Sequence, residues 1–321
     1  MTEPPDPSLA ATAAADRALV GSDGAERLKA IGLMVLALML FSGLDTTAKY
    51  LATRSGIPVA EIAWLRFLGQ FVLLLVLVPA FGVLTARQLF TTKRFGWQLV
   101  RSVLMAATTV LNFLALQYLR LDQTITIVFL APLVVALLAG PLLGEWVGWR
   151  RMIAILVGFG GILVAVRPGF ADVHPAVIYS LGSMLAYALF MILTRRIAAF
   201  DPPLVTLFYS MFVGTLVGGP IAIASWVWPA DALTWLLLLS LGILGGTGHY
   251  LFILAYRLAP ASMIAPFLYL QLLSMVGLGW LVFGDVPDGW TLIGSAVVTA
   301  SGIYLVHREH AVRRPAPKPS E

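Results

Sequence analysis

The sequence predicts an all-α integral membrane protein of about ten transmembrane helices, arranged as two inverted five-helix repeats. Three observations carry that prediction. Only 12% of the 321 residues are charged and 60% are hydrophobic, with mean hydropathy +0.91, against roughly 25% charged in soluble domains. Apolar runs of about 20 residues recur between short polar breaks, enough to cross a ~30 Å hydrocarbon core at ~1.5 Å per helical residue. The runs are continuous rather than alternating, so helices and not barrel strands satisfy the backbone in lipid. Finally, a series of markers occurs twice. Tyr118, Gly144-Glu145, Gly148-Trp149, Gly161-Ile162 and Arg167 are matched by Tyr256, Gly284-Asp285, Gly289-Trp290, Gly302-Ile303 and Arg308 at nearly the same spacing. Self-similarity of this kind divides the chain into halves.

Residues 1–29 are polar, rich in Pro, Ala and Asp, and lack the basic start and apolar core of a cleavable signal peptide; they are expected to form a disordered cytoplasmic tail. The first repeat covers 30–167. Its spans are predicted at Ile31 to Leu51, Pro58 to Phe81, Trp97 to Leu119, Gln123 to Leu143, and Met152 to Val166. The second repeat covers 174–308, with spans at Ala176 to Leu193, Pro203 to Trp226, Trp235 to Tyr256, Met263 to Phe283, and Leu292 to Val306. Residues 309–321 form a basic cytoplasmic tail. Trp97, Trp149, Trp226 and Trp290 fall near span ends, as an aromatic belt requires.

Charge sets the orientation, because short loops rich in Lys and Arg stay in the cytoplasm. One side holds Arg87, Lys93, Arg94, Arg150, Arg151, Arg195, Arg196 and Arg257 among others, while the opposite side holds only Lys49, Arg54, Arg120 and Arg167. Both termini are therefore expected in the cytoplasm. Five spans per half is an odd number, so the second repeat enters the membrane in the opposite direction to the first. The charges agree: Arg150 and Arg151 follow Gly148-Trp149 inside, whereas Thr291 and Leu292 take the matching places outside. Inverted repeats are a common build for secondary transporters, with the ligand site near the midplane.

Several functions are excluded or disfavoured. The net charge of +5 comes from loops that set topology, so no nucleic-acid partner is expected. With no cysteine, disulfides, thiol catalysis and Cys-ligated metal are absent. None of the lysines sits in a Gly-rich loop before Ser or Thr, and His307 and His310 lack the spacing of a zinc-protease motif. No cofactor, metal or catalytic residue is assigned. A membrane-embedded enzyme would need a nucleophile, base and acid at one point, and the ionisable groups are scattered. A sensor or scaffold is a further alternative.

The polar residues inside spans are the candidate ligand-binding set, because a charge in hydrocarbon costs several kcal/mol unless it faces a cavity or partner. Asp45 lies about 9 Å and Arg66 about 12 Å inside the outer ends of their antiparallel spans, at ~1.5 Å per residue. They can meet, either as a buried ion pair locking two helices or as direct ligand contacts. Lys49, within a turn of the outer end, is expected to snorkel to the interface. Asn112, Gln117, Gln123, His249, Tyr250, Tyr269 and Gln271 complete the set; any one of them can be helix glue. Together His249, Tyr250, Tyr269 and Gln271 offer rings and amides suited to a planar organic ligand. Gln123 opens its span and can simply face the interface. Gly140/Gly144, Gly214/Gly218 and Gly242/Gly246 have the spacing of close helix packing, and Glu145 and Asp285 are expected to organise loops.

Residues from Lys29 to Arg308 resemble the drug/metabolite transporter superfamily with two EamA-type repeats. Asp45, Lys49-Tyr50-Leu51, Glu61, Arg66-Phe67, Arg101, Pro132, Gly144-Glu145 and Val157-Gly158-Phe159 carry the resemblance in the first half. Leu207-Phe208-Tyr209-Ser210 and the run from Ala265-Pro266 to Tyr269-Leu270 carry it in the second. The pattern is similar to a mixed subgroup of S-adenosylmethionine uptake carriers, riboflavin carriers and an opine-metallophore exporter. The resemblance implies a multi-pass carrier of the cell inner membrane, monomer or homodimer in the lipid bilayer. By alternating access it moves a small organic metabolite, S-adenosylmethionine-like, riboflavin-like or amino-acid-like, with export the leading alternative to import. The chain departs from the pattern at Gln271-Leu272, where family members often carry Glu before Pro or another apolar residue. An amide cannot titrate in the physiological range, so the departure implies a facilitator or exchanger for a neutral or anionic ligand.

Overall fold

The computed structural model describes residues 7–80, 86–131, 133–135, 137–138, 149–166, 174–197, 200–258 and 270–313. All regular structure among them is helical. The helices are α1 (Pro7–Thr53), α2 (Val59–Ala80), α3 (Ala86–Leu89), α4 (Phe95–Leu116), α5 (Leu121–Val128), α6 (Trp149–Val166), α7 (Val177–Ile197), α8 (Pro203–Ala224), α9 (Ala232–Leu258), α10 (Leu270–Leu278, continued as a π turn over Gly279–Phe283) and α11 (Gly289–Arg313).

Among the described residues, six helical segments are long and apolar enough to cross a membrane: Leu28–Thr53, Val59–Val76, Phe95–Leu116, Val177–Thr194, Leu204–Ala224 and Ala232–Phe252. Shorter apolar helices, Leu121–Val135, Leu156–Ala165, Leu270–Phe283 and Gly289–Ser301, occupy the places of the other expected spans. The α5 helix stops at Val128, four residues ahead of Pro132, whose missing N–H could not have bonded the Val128 carbonyl. Helix α1 runs from Pro7 to Thr53, and its Ala-rich start has high helix propensity.

Two left-handed glycines end helices that need a tight exit. Gly56 (φ +67°) and Gly284 (φ +74°) let the next amide reach a carbonyl six residues back, Ile57 N to Leu51 O at 3.0 Å and Asp285 N to Gly279 O at 3.1 Å. A residue with a Cβ would be strained at either position.

The core is shared between the halves. Leu44, Ile62, Phe113, Leu121 and Ile127 from the first pack in one cluster with Met184, Leu238, Leu241, Met275 and Val298 from the second. The main helix contacts run across the halves: α1 with α9, α4 with α7, α2 with α8 and α9, α4 with α8, and α6 with α11. Exchanging each first-half helix for its counterpart converts α1/α9 into α7/α4 and α2/α9 into α8/α4, and leaves α2/α8 and α6/α11 unchanged. Val72, Val76, Leu216, Ile221, Leu236, Leu239 and Ile243 are exposed on the outside of the bundle, the apolar surface that lipid covers.

Small residues let these helices touch. A Cβ added to Gly69 on α2 would lie 2.9 Å from Gly242 Cα on α9, and one added to Gly242 would lie 2.6 Å from Gly69 Cα. Gly214 and Gly218 likewise receive the rings of Phe67 and Trp64, at 2.6 and 3.5 Å from the added carbon. Gly140 and Gly144 lie outside the described residues. Because the Gly69/Gly242 overlap is with backbone, no rotamer change relieves it. Gly242→Val is expected to cost about 1–3 kcal/mol or more and to lower the monodisperse fraction after detergent extraction. Gly32→Val, at a position with open space around it, serves as the neutral control.

Candidate functional site between the halves

Six polar side chains converge inside the apolar bundle: Asp45 on α1, Arg66 and Gln70 on α2, Thr109 and Asn112 on α4, and His249 on α9. Helical spacing puts each set on one face, since Arg66 and Gln70 are four residues apart and Thr109 and Asn112 three. Asn112 Nδ2 donates to Asp45 Oδ1 at 3.1 Å, and Arg66 Nη1 donates to Thr109 Oγ1 at 2.5 Å. The Arg66 guanidinium also lies 5.6 and 5.7 Å from the ring centres of Phe67 and Phe113, a cation–π setting.

The anticipated direct meeting of Asp45 and Arg66 does not occur. No ion pair joins them; they act on each other electrostatically at longer range. Helix α4 supplies a separate partner to each, which is the physical reason they stay apart.

Three polar atoms here have no protein partner. Arg66 Nε and both amide atoms of Gln70 are buried and unbonded, although Gln70 is only 1% exposed. Gln70 Nε2 packs against Gly245, where an added Cβ would come within 1.8 Å; only glycine admits it. Leaving a buried polar group unpaired costs about 1–3 kcal/mol, so each such group in a native fold calls for a reason. Together they offer a polar ligand N–H donors from two side chains and one carbonyl acceptor. His249 completes the set. Its Nδ1 meets the Gly245 carbonyl at 2.9 Å, and since a carbonyl only accepts, Nδ1 carries the proton. Phe41 stands edge-on to the imidazole at 4.8 Å, and Arg66 acts on it electrostatically.

The remaining candidates lie elsewhere. Gln123 Oε1 accepts from the Arg120 backbone N–H at 3.2 Å and so caps α5. Gln117 is half-buried at the end of α4, and Gln271 half-buried at the start of α10; neither side chain bonds to the set. Tyr250 is 57% exposed, one residue and about 100° around the helix from His249. Tyr269 and Glu145 lie outside the described residues.

Polar clamps close both ends of this region. At the end expected outside, Lys49 does not snorkel: it is buried, pairs with Asp285 Oδ2 at 3.2 Å, donates to Leu119 O at 3.0 Å, and sits 4.7 Å from the Phe283 ring centre. The Gly284 turn brings Asp285 to the depth of Lys49, so the ammonium finds a partner without leaving the bundle. Nearby, Val227 N donates to Glu61 Oε2 at 3.1 Å and Trp64 Nε1 to Thr215 O at 3.0 Å. At the opposite end, Asp201 in the α7–α8 linker accepts from Thr92 Oγ1, from Lys93 N at 3.1 Å and from Gln98 Nε2 at 2.9 Å. Arg101 adds bonds from α4 to Thr194, Ser210 and the Thr206 carbonyl. Apart from the Lys49 bond to Leu119, which stays within the first half, each of these contacts joins the first half to the second.

Known proteins resemble the chain along most of its length. A riboflavin transporter of Vibrio cholerae is 28% identical over 86% of this chain and 92% of its own. An S-adenosylmethionine uptake transporter of Rickettsia conorii is 27% identical over 88% and 94%, and the pseudopaline exporter CntI of Pseudomonas aeruginosa 27% over 85% and 94%. A protein of known crystal structure, 20% identical, shares the fold with TM-score 0.60 over 90% of this chain and 100% of its own. The EamA-like transporter family profile matches residues 28–167 and again 174–307, and with its two matched halves this chain belongs to the EamA-like transporter family.

Proposed function

We propose that this chain is a secondary carrier of the cell membrane that moves a small polar organic metabolite by alternating access. Ten spans form two inverted five-helix halves, with both termini cytoplasmic, and no step of chemistry is performed on the cargo. The single observation that carries the reading is the buried, unpartnered donor and acceptor group of Arg66 Nε and the Gln70 amide, at the seam between halves. Such groups are costly in lipid unless a ligand uses them. Three further facts support it: the transporter names of the relatives, the exchange of helix contacts between halves, and the absence of cysteine and phosphate-loop chemistry. The cargo that fits carries amide or imide edges on a flat ring, for which Gln70 is complementary and Phe41 and Phe113 supply apolar walls. A riboflavin-like solute meets that description with its imide, and the adenine of an S-adenosylmethionine-like solute offers the same amide an amino donor beside a ring-nitrogen acceptor.

The test is uptake and counterflow in proteoliposomes with labelled riboflavin and S-adenosylmethionine, each against empty liposomes. Saturable flux of one of them, lost in Arg66→Ala, is expected, and counterflow reads the direction. No saturable flux of any solute in a screened metabolite pool, from folded protein, removes the carrier reading. Topology has its own measurement, because a chain without cysteine gives clean labelling. Single cysteines next to Met1 and at Arg150, Arg195 and Glu321 should react from the cytoplasmic side, and those at Arg54 and Asp231 from the other. Opposite sides for the two termini would remove the inverted arrangement.

A further inference from the structure

We propose that the crevice at the basic end of the bundle binds the phosphate of an anionic phospholipid. The crevice has a volume of about 130 Å³ and is lined by Arg94, Trp97, Arg196, Ile197 and Phe200. Its two guanidiniums are held in a reciprocal way. Arg94 of the first half stacks over Phe200 of the second at 4.8 Å, and Arg196 of the second stacks over Trp97 of the first at 4.7 Å. A guanidinium stacked by its face keeps its N–H edge for a phosphate oxygen. Among the described residues neither Arg94 nor Arg196 has an acidic partner, because the adjacent carboxylate, Asp201, is occupied by Thr92, Lys93 and Gln98. Arg94 also stands at the N-cap of α4 and offers that helix no side-chain acceptor, so the positive helix end adds to the potential.

Depth selects a lipid over a soluble ion. Arg94 lies one residue before the span Phe95–Leu116 and Arg196 two residues after Val177–Thr194, which is headgroup level. Trp97 and Phe200 are 41% and 42% exposed, giving glycerol and acyl carbons a surface to lie on, as interfacial aromatics do. The crevice spans the seam between halves, so a bound headgroup ties the inner ends of α4 and α7 together. None of this depends on which metabolite is carried.

The experiment reconstitutes the full chain in phosphatidylcholine vesicles with added phosphatidylglycerol, extracts it gently, and counts retained lipid by native mass spectrometry. Wild type should retain phosphatidylglycerol in preference to phosphatidylcholine. The Arg94→Gln/Arg196→Gln variant, checked for unchanged elution, should lose that preference about tenfold, the scale of one charge-assisted contact. Arg87→Gln, which removes an exposed charge on the same side, should keep it. Equal loss in Arg87→Gln would reduce the effect to bulk attraction, and an unchanged preference in the double variant would remove the site; either overturns the proposal. If the double variant does not fold, Arg94→Gln alone is read on the same scale. Displacement of phosphatidylglycerol by millimolar inorganic phosphate alone would assign the crevice to free phosphate and overturn the lipid assignment.

Discussion

Gln70→Leu is expected to raise thermal stability while lowering transport tenfold or more. The two effects share one cause. Both amide atoms of Gln70 are buried without partners, so an apolar side chain of similar size removes a cost of about 1–3 kcal/mol and shifts the melting point of the detergent-solubilised protein upward by a few degrees. The same change deletes a donor and an acceptor that the ligand uses, and each lost hydrogen bond of about 1.4 kcal/mol is a factor of ten in affinity. A residue that serves packing alone gives the opposite sign on stability. Arg66→Lys is the companion variant. It keeps the charge that balances Asp45 but cannot bond Thr109 with one nitrogen and leave another for the ligand, so folded yield should hold while uptake falls by a similar factor. Stability that drops in Gln70→Leu, or uptake that persists in both variants, would show that the polar group is structural.

What the sequence made legible follows from where its physics is local. Hydropathy and run length located the six long apolar segments to within a few residues of their ends, and the price of charge in hydrocarbon singled out Asp45 and Arg66. Their actual partners, Asn112 and Thr109, depend on how α2 and α4 are rotated, and that is decided by backbone contacts such as Gly69 with Gly242, 173 positions apart in numbering. Lys49 pairs instead of snorkelling for the same reason: Asp285 reaches it only because Gly284 turns the chain. Tyr250 is 57% exposed, and an apolar helix carries no sign in its sequence of which of its residues face the bundle. Gln70 was the one legible miss. It sits four residues after Arg66 and so shares a helix face with it, yet a lone glutamine in a span so often serves as helix glue that the spacing alone does not mark it.

The second large effect concerns the clamps, where opposite variants should open opposite sides. Asp201→Asn is expected to shift the protein toward a conformation open at the basic end. In the native linker, burial raises the Asp201 pKa, but the bonds from Thr92, Gln98 and the Lys93 amide, with the Lys93 charge, outweigh it and hold the carboxyl below its ordinary value. A group more acidic in the folded than in the unfolded state contributes its full stability above about pH 4 and loses it as pH falls through the lower folded value. The carboxylate therefore stays ionised across the physiological range, and the strength of the clamp does not vary with pH there. Asparagine keeps one acceptor but no charge, and losing charge-assisted bonds costs about 1–3 kcal/mol, a population change on the order of tenfold to a hundredfold. The reporter is Met105→Cys, at a site only 7% exposed between Arg101 and Thr109, probed with an impermeant maleimide from each side of oriented vesicles. Asp201→Asn should speed labelling from the cytoplasmic side by about that factor. Lys49→Met breaks the pair with Asp285 and should speed it from the external side, by less than a fully buried pair would give because Asp285 is 26% exposed and water can take over. Combining the two variants should bring the two rates back toward each other, because loosening both ends restores the balance that either change alone upsets. If both single variants speed labelling from the same side, the clamps do not belong to one alternating equilibrium.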